Sequence, residues 1–551
     1  VASAREGLKD RETTKGEEMA ASIANSLIRV SSGLQYEDLL SPKGNPDINQ
    51  FMKVLRKTTR WAAQWRRTDF DGQAGFGKKV SLTVPRIAEL VNGVTLVVQM
   101  PDIATAQQAA QVAAGPNFLG PHYGWTNSLG HALIETVELE IGGVTVETLD
   151  GRLLEVLDEL YEPLDTLKAK NAMIKRAPNG FGPTTWVGTP TDPVKVYVPL
   201  PFWFSRPGRY SHALPIDAIN ADKIRIHVTF RTVEQVYYTD ARYDGRTVGF
   251  RVGQDVSGAM PELAGGRFWV QNPTATGRVY FMSADMPYTG LSGEILAGYT
   301  MPARLDMEDA YLMLEYVSVE EPEAIALRTA ELTYFVEQHN AILSQATQNT
   351  TEVRIPLPLI NPTKEILWVL QRPEAESYNA WFLFSRDLGP YIYERPNGLN
   401  ADAFNPCRVP WWPDAELTPT EANNWRILPA FRTADSEPIT GAAVFYNSLE
   451  RFEIKGPVLF RTLLPTKAAT KVAVHDRYVY MWPFGFQQDR EDVYRPAGAA
   501  NWDKIPRKEM YLSMAAGRGC TPHPNMNVYV WTTNWNVLKV FGGRAGMLFS
   551  N

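Results

Sequence analysis

The sequence predicts an all-β protein made of two tandem domains of one architecture, and three observations predict it. At 551 residues the chain is too long for one hydrophobic core, which stops growing at roughly 250–300 residues. Its composition is globular, 44% hydrophobic and 21% charged, with 15 Trp, 23 Tyr and 23 Phe set among 39 Pro and 40 Gly. That is the make-up of many aromatic strands separated by many turns. The chain also echoes itself: "KVSLTVP…TLVVQMP" (Val80 to Gln99) returns as "EVRIPLP…LWVLQRP" (Val353 to Gln371), about half a chain later. Two domains of one architecture, each opening with the same strand pair, produce such an echo.

The elements follow in order. Residues 1–18 are polar, and "EEMAASIANSLIRV" then places Met19, Ile23, Leu27 and Val30 at helical spacing. From Lys79 the period falls to two. "KVSLTV" alternates Val80, Leu82 and Val84, and "VTLVVQMP" is an apolar run of strand length. "ELEIGGVTVETLDG" holds four carboxylates in fourteen residues. Val137, Leu139 and Ile141 alternate with Glu138 and Glu140, and Gly142-Gly143 supplies a two-residue turn where positive φ is cheap. The acids are therefore expected on the wet side of a β-hairpin. A catalytic acid pair would need one carboxyl in a dry pocket instead. Asp150 is the expected N-cap of a helix carrying Leu153, Leu157, Leu160 and Tyr161.

Strands are expected at 194–204, at 223–230, where Ile224, Ile226, Val228 and Phe230 alternate, and at 309–319. Residues 236–305 read as a long insertion. Pro322 marks a helix start, with Ile325, Arg328 and Leu332 at helical spacing. In the second half, "TEVRIPLPL", "EILWVLQ", "AWFLFSRD", "AAVFYNSLERFEI", "VAVHDRYVYMWPF", "EMYLSM" and the aromatic C-terminal stretch "NVYVWTTNWNVLKVF" read as strands. The last is expected inside a sheet, because an apolar edge invites aggregation.

Chemical motifs are tested and mostly fail. "GQAGFGKK" (Gly72 to Lys79) approaches a phosphate-binding loop, but Lys79 stands where a Ser or Thr would hold Mg²⁺, and a strand follows instead of a helix. The seven His include no HExxH pair, and no G-x-S-x-G elbow occurs. No catalytic, cofactor-binding or metal-binding constellation assembles, so no enzyme and no cofactor are expected. Cys407 and Cys520 are too few for a disulfide framework, which points to a reducing compartment. No apolar run approaches the roughly 20 residues that cross a bilayer, and no signal-peptide pattern opens the chain. "KVLRKTTRWAAQWRR" interleaves Arg56, Arg60, Arg66 and Arg67 with Trp61 and Trp65, a pattern that can bind single strands of nucleic acid. A net charge of -6 argues against it. The segment reads as amphipathic, its Trp residues anchoring and its cations meeting an acidic neighbour.

Several stretches together resemble the double jelly-roll major capsid proteins of nucleocytoplasmic large DNA viruses. "GFGKKVSLTVPRIAELVNGVTLVVQMP" resembles the family's opening strand pair, and "HALIETVELEIGGVTVETLDGRLLEVLDEL" its hairpin and helix. "PLPFWFSRPGRYSHALPIDAINADKIRIHVTF", "DAYLMLEYVSVEEPEAIALRTAELTYFVEQ" and the closing "NWNVLKVFGGRAGMLFSN" resemble later blocks, in the family's order over nearly the whole chain. The insertion at 236–305 and the loop region at 386–440 look longer than in compact members, and the stretch before Gln35 does not match.

The resemblance implies two tandem eight-stranded antiparallel jelly-roll β-sandwiches with a few short helices and long loop insertions. The domains would be an N-terminal arm at 1–35, a first jelly roll at 36–320, a helical connector at 321–344 and a second jelly roll at 345–551. It implies a non-enzymatic major capsid protein of the virion, assembled in the cytoplasm of the infected cell. Three copies would form a pseudo-hexagonal capsomer tiling an icosahedral shell. Its partners would be itself, neighbouring capsomers, minor capsid and penton proteins and an internal membrane, with no direct nucleic acid and no small-molecule substrate. Arg56, Arg60, Trp61, Trp65, Arg66 and Arg67 are the assembly-interface candidates. Two other readings stand beside this one: a minor capsid or spike protein on the same fold, and a β-rich carbohydrate-binding protein using Trp411-Trp412.

Overall fold

The computed structural model describes residues 60–101, 122–176, 194–206, 212–240, 268–271, 279–282, 306–373, 376, 381–386, 437–447, 449–450, 455–473, 477–485, 498–515 and 525–549. The expected helix at Met19–Val30, most of 236–305, the loop region after 386, Arg56, Cys407, Trp411, Trp412, His475 and Cys520 lie outside the described residues.

The first domain runs β1 (Trp61–Asp69), β2 (Lys79–Thr83), β3 (Leu90–Gln99), β4 (His122–Trp125), α1 (Leu129–Leu133), β5 (Ile134–Ile141), β6 (Val144–Asp150), α2 (Gly151–Tyr161), α3 (Leu164–Ile174), β7 (Lys195–Pro199), β8 (Ile224–Phe230), α4 (Val233–Val236), β9 (Tyr237–Asp240), β10 (Phe268–Gln271), β11 (Val279–Met282) and β12 (Asp309–Val319). Two four-stranded sheets form, ordered β1-β12-β3-β7 and β2-β8-β5-β6, and every pairing is antiparallel. The period-two residues explain the sandwich. Leu82, Val137, Leu139, Ile226 and Val228 of one sheet, and Leu96, Val98, Val198, Leu312 and Leu314 of the other, are buried in one apolar cluster. The β5–β6 turn uses Gly142 and Gly143 at φ 62° and 87°, left-handed values that glycine adopts without strain.

The second domain repeats the plan after α5 (Glu321–Thr329): β13 (Leu332–Ala346), β14 (Glu352–Pro356), β15 (Thr363–Gln371), β16 (Ile439–Tyr446), β17 (Leu449–Glu450), a π-helical turn (Leu459–Leu463), α6 (Leu464–Ala468), β18 (Val479–Pro483), β19 (Lys508–Met514), β20 (Asn527–Phe541) and β21 (Arg544–Met547). Its sheets are ordered β13-β20-β15-β18 and β14-β19-β16-β17, with β21 added to the end of β20. Apart from β21, each strand has a counterpart at the same place in the first domain: β13, β20, β15 and β18 stand where β1, β12, β3 and β7 do. The echo seen in the sequence is β2–β3 answered by β14–β15. Both sandwiches have jelly-roll strand order. The core of the second is aromatic, with Trp368, Tyr480 and Trp502 buried and the rings of Trp368 and Tyr480 stacked 5.5 Å apart.

Four expectations need correcting. The helical connector expected over 321–344 ends at Thr329, and Leu332–Ala346 is a long strand paired with β20. Pro322 does open α5, but Leu332 begins the strand. The second jelly roll therefore starts at Leu332, not 345. "AWFLFSRD" contains no strand among its described residues, Trp381–Arg386, although its aromatic residues are buried. The basic segment is a strand where it is described, paired along β12 from Trp61 to Asp69. Last, the four acids divide. Glu138 and Glu140 are partly exposed and pair with Lys79 and His227, whereas Glu147 is 1% exposed. Glu147 pairs in register with the core residue Leu139, on the inward side of the hairpin, and the second domain meets it there through the His339 N–H.

Candidate assembly surfaces

The junction between the two domains is built from the outer face of a sheet. In β15, Ile366, Trp368 and Leu370 point into the second sandwich, together with Val528, Val530 and Tyr480. The alternate residues Leu367 and Val369, with Trp531, Val479 and Met481 beside them in register, belong to the first domain's core cluster. Burying five such side chains contributes about 10 kcal/mol at ~2 kcal/mol each. The two sandwiches are therefore one body rather than beads on a linker.

The first domain meets this face with β6, α2 and the chain after β7. Asp150 caps α2 by accepting from Leu153 N at 2.8 Å, and its other carboxylate oxygen accepts from Trp531 Nε1 at 2.7 Å. Arg152 donates to Gln371 Oε1 at 3.0 Å and lies 4.3 Å from the Tyr529 ring centroid. Arg206 reaches Glu337 and lies 2.8 Å from His339 Nε2, and Tyr161 donates to Glu365. Gln338 donates to the Val146 carbonyl at 2.9 Å, and the His339 N–H donates to Glu147 at 3.1 Å. Burial in this polar but dry seam raises the Glu147 carboxyl to about 8, only partly opposed by Arg206.

A second polar knot lies at α1–α2. Glu155 is fully buried and contacts His131 Nδ1 at 2.7 Å, Arg176 from beyond α3 and Arg477 from the second domain. Arg477 also reaches Glu159 at 2.8 Å. Burial pushes the Glu155 carboxyl up, but Arg176, Arg477 and His131 outweigh it and hold it well below the usual carboxylate range. The knot is structural: each charge in it has opposite partners at contact distance, and it lies across the domain junction rather than in a cleft. Among the described residues no group of three or more His, Cys, Asp or Glu could hold a metal ion. No described helix is long and apolar enough to cross a membrane. The glycine-rich stretch Gly72–Lys78 is a loop leading into β2, and Lys79 pairs with Glu138.

Of the sequence-predicted interface residues, Trp61, Trp65, Arg66 and Arg67 fall on β1, the edge strand of the first domain's outer sheet, Arg60 directly precedes it and Arg56 lies outside the described residues. Alternation splits them. Trp61, Trp65 and Arg67 point to the outer face, while Arg66 pairs with the core residue Leu314 and lies on the side of the opposing sheet. Trp61 and Trp65 are 53% and 51% exposed. The Trp65 ring reaches across Glu315 to Gly93, where a Cβ would stand only 3.0 Å from it. Arg67 binds Asp69 and Asp309 of its own chain and lies 4.0 Å from the Tyr311 ring centroid, and Arg60 pairs with Glu320. These two cations meet acids within their own chain. Sequence reasoning missed the residues of the domain seam, Glu147, Arg206, Glu337, His339 and Trp531. Of the seam residues, Asp150, which accepts from Trp531, gave a signal of its own, as a helix cap.

Fold and surfaces together define a double jelly-roll structural protein whose contacts serve packing. The profile described as "Major capsid protein N-terminus" matches residues 49–258, and that described as "Large eukaryotic DNA virus major capsid protein" matches residues 323–546. The chain belongs to this family of major capsid proteins of large eukaryotic DNA viruses. It is 21% identical to probable capsid protein 4 of Acanthamoeba polyphaga mimivirus, over 92% of this chain and 96% of that protein. It is likewise 21% identical to the major capsid protein of Phaeocystis pouchetii virus, with the same coverage of each chain. Among solved structures, the Faustovirus major capsid protein superposes with a TM-score of 0.59 at 11% identity, covering 90% of this chain and 93% of that one. The PBCV-1 virus capsid chain gives 0.58 at 18%, covering 91% and 100%. The homologues are structural capsid proteins, not enzymes.

Proposed function

We propose that three copies of this chain form a homotrimeric, pseudo-hexagonal capsomer, and that such capsomers tile the icosahedral shell of a large double-stranded DNA virus. One observation carries this reading: the two domains are topological equivalents, yet they touch through different surfaces, the outer sheet of the second against β6 and α2 of the first. A contact between equivalent units through unlike surfaces is heterologous, and repeated around an axis it closes a ring. Six domains from three chains make such a ring. Neighbouring capsomers, minor capsid and penton proteins and an internal membrane on the inner face complete the set of partners. Assembly takes place in the cytoplasm of the infected cell. The net charge of -6 supports a shell that does not grip the genome directly. Light scattering on the chromatographed protein tests the reading. A mass of about 185 kDa (3 × 61.8 kDa) is expected, and a monodisperse 61.8 kDa species at micromolar concentration would refute it.

A further inference from the structure

β21 is the one described strand of the second domain without a counterpart in the first. Strands β12 and β20 are equivalent, yet the chain leaves them differently. After β12 it enters α5, the covalent link between the sandwiches, and after β20 it turns back through Gly542-Gly543 into β21. Both exits meet the same six residues of the first domain, 217–222. Arg328, in the last turn of α5, pairs with Asp217. The Ala221 N–H donates to the Gly543 carbonyl at 2.8 Å, and the Ala545 N–H donates to Asp222 Oδ2 at 3.0 Å.

This segment is a rigid seat. Arg86 donates to the carbonyls of Ile219 and Asp222 at 2.7 and 2.8 Å, and the Asp217 N–H donates to the Glu89 carbonyl at 3.3 Å. Ile216, Ala218 and Ile219 are buried in the first domain's core cluster. The hairpin that lands on the seat is anchored in the same cluster, through Leu538 and Val540, with Ala545 and Met547 packed against it. The fit is close at its tip. Gly543 has φ 80°, and a Cβ there would stand 2.1 Å from Asn220 Oδ1 and 3.3 Å from Ala221 Cβ. At the neighbouring Gly542, φ 58°, a Cβ would meet no described atom within 4 Å.

A single tether leaves one domain able to swing on another. A second attachment to the same rigid seat removes that swing. The orientation matters, because a heterologous contact closes a ring only when its rotation is right and otherwise runs open. We infer that residues 217–222, held by α5 on one side and by the β20–β21 hairpin on the other, set the angle between the two sandwiches, and that this angle decides whether three chains close. The second half of this inference rests on the trimer reading above.

Spin-label distances and light scattering on the full chain test it together. With Cys407→Ser and Cys520→Ser in place, labels go on Val144→Cys and Ile360→Cys, one on each sandwich and 66% and 64% exposed. Labelled chain is diluted with unlabelled chain so that the distance read lies within one molecule. Gly543→Val drives a side chain into the seat at Asn220. Gly542→Asn alters the same turn with a residue that tolerates left-handed φ. Wild type and G542N should each give one narrow distance and a trimer. G543V should give a broadened distribution and a roughly tenfold weaker trimer, with an unchanged circular dichroism spectrum. A folded G543V that keeps the narrow distance, or keeps the full trimer, overturns the inference and leaves the trimer reading standing. A monomeric wild-type chain overturns both. Should G543V fail to fold, Asp222→Ala, which removes the acceptor of the Ala545 N–H, is read by the same two outcomes.

Discussion

Asp150 and Trp531 stand 381 positions apart in the chain, yet the Trp531 indole N–H donates to Asp150 Oδ2 at 2.7 Å while Oδ1 of the same carboxylate caps α2. One side chain both starts the helix that leads out of the first domain's hairpin and holds the second domain against it. Asp150→Ala is expected to destabilise the protein by about 2–4 kcal/mol, combining a lost cap of ~1 kcal/mol with a buried indole N–H left without an acceptor. Trp531→Phe removes the bond and part of the packing. In a double-mutant cycle by denaturant unfolding, the two changes should couple by about 1 kcal/mol or more. Additive effects would show that the bond contributes nothing across the junction.

Glu147 gives the junction a pH signature. Its carboxyl titrates near 8 in the folded chain because burial disfavours the anion, and near 4.5 when unfolded. Between these values the folded state holds a proton that the unfolded state has released. The stability it contributes is fully present below about pH 4.5 and falls as pH rises to about 8, with no further loss above. At ~1.4 kcal/mol per unit the change amounts to several kcal/mol. Glu147→Gln keeps an acceptor for the His339 N–H and cannot ionise. Its stability relative to wild type should therefore rise steadily from pH 5 to 8. A constant difference across that range would contradict the assignment.

Glu155 works in the opposite direction. Arg176, Arg477 and His131 outweigh its burial and hold its carboxyl well below the usual range, so its contribution is present above about pH 4.5 and disappears as pH falls through the lowered value. Arg477→Met leaves Glu155 and Glu159 short of a cation in a dry setting. Removing one member of a buried ion pair costs about 3–5 kcal/mol. Chemical denaturation of R477M should show a loss of that order, together with the two domains unfolding at separate midpoints.

Gly151 sets two rules against each other. Alanine is favoured over glycine inside a helix by roughly 1 kcal/mol. A Cβ at Gly151, however, would collide with the carbonyl oxygens of His131 and Ile134. These are backbone atoms of α1 and β5 and cannot swing aside, so sterics decide. Gly151→Ala should destabilise by about 1–3 kcal/mol, as overpacking does. A rise in melting temperature would show that α1 yields.

The parts legible in the sequence are those where one local rule operates. Ile224, Ile226, Val228 and Phe230 alternate because β8 has one buried face, and the structure buries all four. Gly142-Gly143 and Asp150 carry their turn and cap chemistry in their own side chains and backbone. β13 was illegible because Glu337, Gln338 and His339 are buried by another domain and satisfied by Arg206, Val146 and Glu147, partners 131 to 192 residues away. Polar residues there mimic a solvated helix. β1 carried no strand signal for a related reason: it is exposed almost throughout, so no burial period marks it. The candidate residues Trp61 and Trp65 were visible by type, but only the register with β12 shows that they share a face with Arg67 and not with Arg66.

The central claim is that a heterologous junction between two equivalent jelly rolls, seen once within the chain, is repeated between chains to close a ring. Electron microscopy of the purified oligomer tests it most directly. The account predicts threefold particles of hexagonal outline in which six β-sandwiches follow one another at near-equal angles. Particles with twofold symmetry, or a threefold ring in which the six β-sandwiches are not evenly spaced, would contradict it.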